Sequence, residues 1–374
     1  MVRVGSPAAL LAVIPYLLGF VPEASVVVIG LTPPRDRVRV TLRYDLPDPP
    51  EADLIADLVA HAVGVISSQQ LTAAIAVGYG PEALVTPVAE ALRDATLEAG
   101  IDLHDVLRVE DGRYWSYRCG DEECCPAAGV PFDPAAHPAA AALAGAKTPV
   151  LADRAAVAAR VAPTGGIAGE SMRQATRRAE QHVTRLLARV RKSSRTGAAR
   201  RMIAAEGLAA VNALIATYRG GGRFSSDYEI ARITVGLRDL RVRDDAWARM
   251  DPAHTDAHLR LWIDVVRRAQ PGYLAPPAAL LAFVAWQSGD GALANVALDR
   301  ALADDPTYSM ALLLRQVITA GAPPSLARLP MTPEEVAASY DDAEGEAFPG
   351  GEDDPGDDHD LDTAGHDPDL ADED

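Results

Sequence analysis

Cysteine is scarce in this chain: three residues among 374, all between positions 119 and 125. A secreted disulfide scaffold carries more of them and spreads them evenly, so that class is excluded. Aromatic residues make up only 5%, which leaves alanine, leucine and valine to fill the interior. Apolar runs long enough to span a membrane are missing too. The stretch from Ala8 to Val21 is broken by Pro15 and Gly19 and followed by Pro22, too interrupted for a membrane span. A β-rich run, Ser25 to Leu31, stands where a signal-peptide cleavage site would relax, so a cytoplasmic protein is expected. No Gly-x-Gly-x-x-Gly, Walker loop or Gly-x-Ser-x-Gly occurs in the context those motifs require. Thr164-Gly-Gly-Ile-Ala-Gly169 has no Lys-Ser/Thr and follows no strand, and is expected to be a loop.

Basic residues are absent from one region. Residues 341–374 hold 16 acids and no Lys or Arg, so the formal net charge of −18 is concentrated there. Without that region 37 acids face 35 bases, and the body is close to neutral. The segment has hardly any large apolar side chain, so it is expected to be a disordered acidic tail.

What is present reads as two architectures. Ser6-Pro7 is an N-cap followed by proline at the first helical position, and Gly19 closes the helix. Ser25 to Leu31 is a strand buried on both faces. Val38 to Tyr44 alternates like an antiparallel partner with one wetter face. A helix from Glu51 to Ser68, a strand from Leu71 to Tyr79, a helix from Pro81 to Ala99 and a strand from Ile101 to Val109 follow. Asp111-Gly112 then turns the chain into Arg113–Tyr117. This is an α/β layout with a mixed sheet and flanking helices.

After Pro126 the pattern is helical almost throughout: Ala135–Ala146, Asp153–Val161, Glu170–Arg191, Gly197–Tyr218 and onward. Leu281-Ala282, Gly289-Asp290, Ala294, Leu298, Ala301-Leu302 and Asp305-Pro306 match most signature places of the roughly 34-residue tetratricopeptide pattern. Ala278 and Ala285 replace its first-helix aromatics. The expected organisation is an α/β domain over 1–133, an α-helical domain with tetratricopeptide-like helix pairs over 134–330, and the acidic tail over 331–374.

Three separated motifs occur in order: Leu10-Leu-Ala-Val-Ile-Pro-Tyr-Leu-Leu-Gly-Phe20 with the following Val-Val-Val strand, Arg113-Tyr-Trp-Ser-Tyr117 with Cys124-Cys125-Pro126, and Ala282-Phe-Val-Ala-Trp286 with Gly289-Asp-Gly-Ala-Leu293. Together they resemble the actinobacterial domain-of-unknown-function family numbered 4192, over roughly residues 5 to 325. The arginine-rich, lysine-poor composition fits such a source. The resemblance implies no activity, cofactor or catalytic residue.

Chemistry concentrates at Cys119, Cys124 and Cys125. They could form half a zinc site completed by His104 or His137, but adjacent cysteines are awkward ligands for one ion, because neighbouring side chains point apart along an extended chain. Packing as small hydrophobes is the favoured reading, so no metal and no cofactor are expected. A cysteine nucleophile would draw positive charge from Arg113 and Arg118, opposed by Asp121, Glu122 and Glu123. Arg113, Trp115 and Tyr117 alternate, so on a strand they share a face that could take a ligand or partner. From Glu170 to Arg201, Met172, Ala175, Ala179, Val183, Leu186, Leu187 and Val190 form a core-facing stripe. Arg173, Arg177, Arg178, Arg185 and Arg189 occupy the outer face, expected to be solvated or to meet acidic segments rather than nucleic acid. The leading functional expectation is an interaction or regulatory module, with a protein partner on the helical domain and no membrane. The alternative is an enzyme whose pocket lies at the domain joint and uses Arg113, Tyr117 and the cysteines.

Overall fold

The structure is a computed structural model that describes residues 5–32, 37–143, 150–191, 196–222, 225–326 and 331–346. It opens with helix α1 (Pro7–Leu18), whose N-cap Ser6 Oγ accepts from the Ala9 amide. Gly19, at φ +80°, ends it in the left-handed conformation that glycine adopts without a Cβ penalty. Strands β1 (Ser25–Thr32) and β2 (Arg37–Asp45) form an antiparallel pair. Helix α2 (Ala52–Ser68), strand β3 (Ala73–Tyr79), helix α3 (Glu82–Glu98) and strand β4 (Asp102–Glu110) follow. Strand β5 (Arg113–Ser116) and the two-residue β6 (Val130–Pro131) complete a six-stranded sheet in the order β2-β1-β3-β4-β5-β6. Only β3 and β4 pair in parallel, joined by α3 as a crossover. The sheet is mixed.

Both faces of the central strands are covered. On one side Val26, Val28, Ala74 and Ala76 pack against Ile55, Val59, Ala62 and Ile66 of α2 and Val85, Val88 and Leu92 of α3. On the other, Val27, Ile29, Leu31 and Val77 pack against Leu10, Leu11 and Ile14 of α1. The apolar N-terminal stretch is therefore a core helix, and β1 is buried along nearly its whole length because side chains of both parities find apolar partners.

Helices make up the remainder: α4 (Pro138–Leu143), α5 (Arg154–Ala159), α6 (Gly166–Arg191), α7 (Thr196–Arg219), α8 (Asp227–Gly236), α9 (Leu240–Ala248), α10 (Thr255–Arg268), α11 (Ala275–Ser288), α12 (Gly291–Asp304), α13 (Ser309–Thr319) and α14 (Pro333–Glu346). Helix α11 is apolar all round and is buried from Ala275 to Trp286. Alanines 278, 282, 285, 294, 297 and 301 are all fully buried, which lets α11 and α12 approach closely as a helical hairpin. Helix α13 packs on both.

Four expectations need correction. Helix α6 begins at Gly166, inside the stretch expected to be a loop. Strand β6 was not foreseen; its two residues pair with β5 because the returning loop is tied there by side chains. Ala139 and Ala140 of α4 pack on Ala9, Ala12 and Val13 of α1, so this helix is attached to the sheet layer rather than to the helices after it. The tail assigned to 331–374 begins with a helix. Val336 is buried, Tyr340 donates to Asp244 (2.6 Å) and Asp341 pairs with Arg241 (2.8 Å), so tertiary partners on or beside α9 order a segment whose composition alone would not. Residues 347–374 lie outside the described residues.

The sheet and the helices meet through specific contacts. Phe20 bridges to Leu151, with Val21 donating to the Leu151 carbonyl (3.0 Å) and Leu151 donating to that of Gly19 (2.9 Å). The Phe20 ring joins the core of the helical part. Gly321, at φ +68°, lies against Val65 of α2, where a Cβ would come within 2.5 Å of Val65 Cγ1.

Candidate functional site

A cleft of about 490 Å³ lies along this joint, between the edge strand β2 and the helices α5, α11, α12 and α13. The period of two in β2 creates half of it. Val40, Leu42 and Tyr44 pack on the core under α2, Arg39, Thr41 and Arg43 point the other way, and both sets reach the cleft as β2 forms its edge. Arg43 is held by Asp45 (2.6 Å) and by the Glu23 carbonyl (3.3 Å), yet its buried Nε has no partner. Arg39 is exposed and has no hydrogen bond or ion pair among the described residues. From the helical side come Arg154 of α5 and Arg315 of α13, which share one carboxylate, Asp299, at 3.0 and 2.6 Å. Gly291, Ala292 and Asn295 bring the first turns of α12 to the wall, and Trp286 and Phe20 line the floor.

Four arginines line the cleft; Asp45 is the carboxylate among the lining residues, and Asp299 stands beside Arg154 and Arg315. Tyr44 and His61 form a hydrogen bond of 2.7 Å, with the rings edge to face. Burial raises the Tyr44 phenol well above its ordinary range, so it stays protonated at neutral pH. Among the described lining residues there is no cysteine, no serine and no pair of carboxylates.

The residues singled out from the sequence lie elsewhere, at the other edge of the sheet. Trp115 stands opposite Arg108 in the β4–β5 register, and the Arg108 guanidinium covers its ring at 3.8 Å. Arg108 is itself fixed by Glu110 (2.5 Å) and Glu82 (3.6 Å). Trp115 Nε1 donates to the Ala127 carbonyl (3.1 Å), and Arg113 donates to those of Ala128 (3.2 Å) and Gly129 (2.9 Å). Gly129, at φ +76°, touches the indole so closely that a Cβ would lie 2.5 Å from it. Tyr117 sits just past the end of β5 and hydrogen-bonds Thr86 of α3 (2.7 Å). It also borders a separate, more apolar cavity of about 480 Å³ beside α3. Arg113 and Trp115 therefore clamp the loop from 118 to 129, and the joint cleft contains neither these residues nor the cysteines.

Within that loop the three cysteines converge. Their sulfurs all lie within 4.8 Å of one another, with Cys119 and Cys125 half-buried and Cys124 exposed. The expectation that adjacent sulfurs point apart fails because the chain here is not extended. Cys125 donates its amide to the Asp121 carbonyl (2.7 Å), closing a helical turn that swings both side chains to one side. Nor do the cysteines pack as core hydrophobes. The Asp121 amide lowers the Cys119 thiol below its ordinary value, and hydrogen bonding to Cys119 pushes Cys125 up to about 12.

On the basic helix, Met172, Ala175, Ala179 and Leu186 are buried, Val183 is half-buried and Leu187 is exposed. Arg173 pairs with Glu170, Arg178 lies over the Tyr228 ring at 5.7 Å, and Arg185 donates to the Gln181 carbonyl (3.2 Å). Arg177 is exposed; the side chains of Arg189 and Val190 lie outside the described residues.

The sequence pointed to a pocket at the domain joint but not to the residues that line this cleft. Its one visible signal was the arginine alternation in Arg37-Val-Arg-Val-Thr-Leu-Arg43, which marks a charged strand face without saying what it faces.

The family model described as Domain of unknown function (DUF4192) matches residues 7–325, and the chain belongs to that family. No curated protein matches the chain, and no solved structure does. No helix among the described residues is long and apolar enough to cross a membrane.

Proposed function

We propose that this protein is a regulatory ligand-binding protein whose joint cleft takes a small polyanion, one bearing phosphate or several carboxylates. The observation that carries the reading is the surplus of guanidinium at the cleft: Arg154 and Arg315 divide a single aspartate, and Arg39 is unpaired among the described residues. An anion would complete these partners with charge-assisted hydrogen bonds, stronger than neutral ones. Because the walls come from β2 on one side and from α5, α12 and α13 on the other, a bound anion ties sheet and helices together, and occupancy becomes a statement about their relative order. Binding suits the lining better than catalysis, since the only evident proton-transfer pair, Tyr44 and His61, is already engaged with itself. The core role of α1 supports retention in the cytoplasm.

The test is thermal unfolding of the full chain with inorganic pyrophosphate, a nucleoside triphosphate and an uncharged sugar. Ligand at about a hundred times Kd stabilises by about 2.7 kcal/mol, so one of the anions should raise Tm by several degrees. The sugar should not. Arg154→Ala combined with Arg315→Ala should abolish the shift. Equal shifts in wild type and double variant would refute the site.

A second reading rests on α13, where Leu312, Leu313 and Val317 are exposed. These side chains support a protein partner on the helical part, with α11 and α12 as a single tetratricopeptide-like pair. Leu313→Asp should then abolish capture of a defined partner while leaving anion binding intact.

A further inference from the structure

We infer that Cys119, Cys124 and Cys125 form a three-thiolate site for a zinc-class cation, on a loop that the sheet edge preorganises for that purpose. Three sulfurs bound to one tetrahedral ion at about 2.3 Å stand about 3.8 Å apart. The observed spread of no more than 4.8 Å is within about 1 Å of that geometry. A disulfide would use two of the three sulfurs and leave the third unexplained. A hydrophobic role would place them in a core, and Cys124 is exposed.

The surroundings of the triad are those of a cation site. Every tie that shapes the loop is made by a side chain or amide that is not itself a ligand. Ser116 Oγ accepts from the amides of Arg118 and Cys119, both at 3.1 Å, and donates to Asp105 (2.7 Å), which fixes where Cys119 leaves the sheet. Asp121 Oδ1 accepts from the Glu123 amide (2.9 Å), and the turn that follows is closed by Gly129 donating to the Pro126 carbonyl (2.7 Å). Arg113 and Trp115 hold the far end of the loop through three carbonyls. The nearby acids, Asp105, Asp121, Glu122 and Glu123, oppose free thiolates but favour a dication among them. This juxtaposition answers the puzzle the sequence posed, in which the acids argued against a reactive cysteine.

Soft sulfur donors select zinc over magnesium or calcium. Each ligating thiol passes its proton to solvent, so three thiolates and one dication leave the centre with a charge of −1. The fourth position is open on the exposed side of Cys124, available to water or to a donor from another molecule.

The full chain, purified under reductant and loaded with zinc, is assayed for metal by mass spectrometry and for thiols by titration. One zinc per chain is expected, falling below about a tenth in Cys119→Ser, Cys124→Ser and Cys125→Ser, with the far-ultraviolet spectrum unchanged. Cobalt in place of zinc should give thiolate charge-transfer and tetrahedral d–d absorption. Ser116→Ala, which alters positioning rather than ligation, should weaken cobalt binding about 10- to 100-fold while retaining that spectrum. Three free thiols with no retained metal would overturn the proposal. So would metal that survives the triple Cys→Ser variant, an intramolecular disulfide that takes up no metal after reduction, or an iron–sulfur chromophore in place of zinc.

Discussion

His258 lies in the helical core, 1% exposed, and the Arg219 guanidinium donates to its Nε2 at 3.2 Å. That contact leaves the proton on Nδ1, which has no partner. Burial, reinforced by the neighbouring Arg219 charge, holds the imidazole pKa down at about 4, against an ordinary value of 6.5. The folded protein keeps this histidine neutral while the unfolded chain protonates it below pH 6.5, so stability is lost as pH falls from 6.5 to 4 and levels off below that. Denaturant unfolding should show about 2 kcal/mol of this loss between pH 7 and pH 5, and His258→Gln should remove that part of the slope. An unchanged slope would mean that other groups govern the acid limb. At this scale the sequence named the cysteines but not their geometry. Which way Cys124 and Cys125 point depends on the Asp121–Cys125 turn, and that turn depends on Arg113 and Trp115 anchoring the loop some residues later.

Among the elements, β3 and α3 are fitted through Gly78. A Cβ there would overlap the Val85 side chain, so the strand and helix approach as they do only because the position is bare. Gly78→Ala should cost about 1–3 kcal/mol by overpacking. Val85→Ala in the same chain should recover part of that in a double-mutant cycle; additive losses would show that the two do not touch. The helices and strands of the sheet layer were legible because local signals agree with burial. Ser6-Pro7 and Gly19 bracket α1, and Asp111-Gly112 turns β4 into β5 with both residues at positive φ. Elements that owe their existence to distant partners were not. Strand β6 exists because Arg113 holds the carbonyls beside it, and α14 because Arg241 and Asp244 receive Asp341 and Tyr340.

For the molecule as a whole, charge is the dominant fact. The body is nearly neutral, yet it gathers arginines into the cleft and along α6, while 12 acids lie in residues 347–374. Deleting 347–374 should raise binding to heparin at low salt, and salt should erase the difference because exposed charges are screened beyond about 8 Å at physiological ionic strength. Equal binding by the two proteins would leave the tail a solubilising appendage. The lining of the cleft was illegible in the sequence for a simple reason: its arginines come from positions 39, 43, 154 and 315, and the packing of the helices on α2 and β2 brings them together. The claim that an anion binds between sheet and helices is tested most directly by amide hydrogen exchange of the full chain with and without the anion that raises Tm. Protection should rise together in residues 39–45 of the sheet and in 289–295 and 315–322 of the helices, two sides that meet at the cleft. Protection confined to α6, or to one side of the joint, would contradict the account.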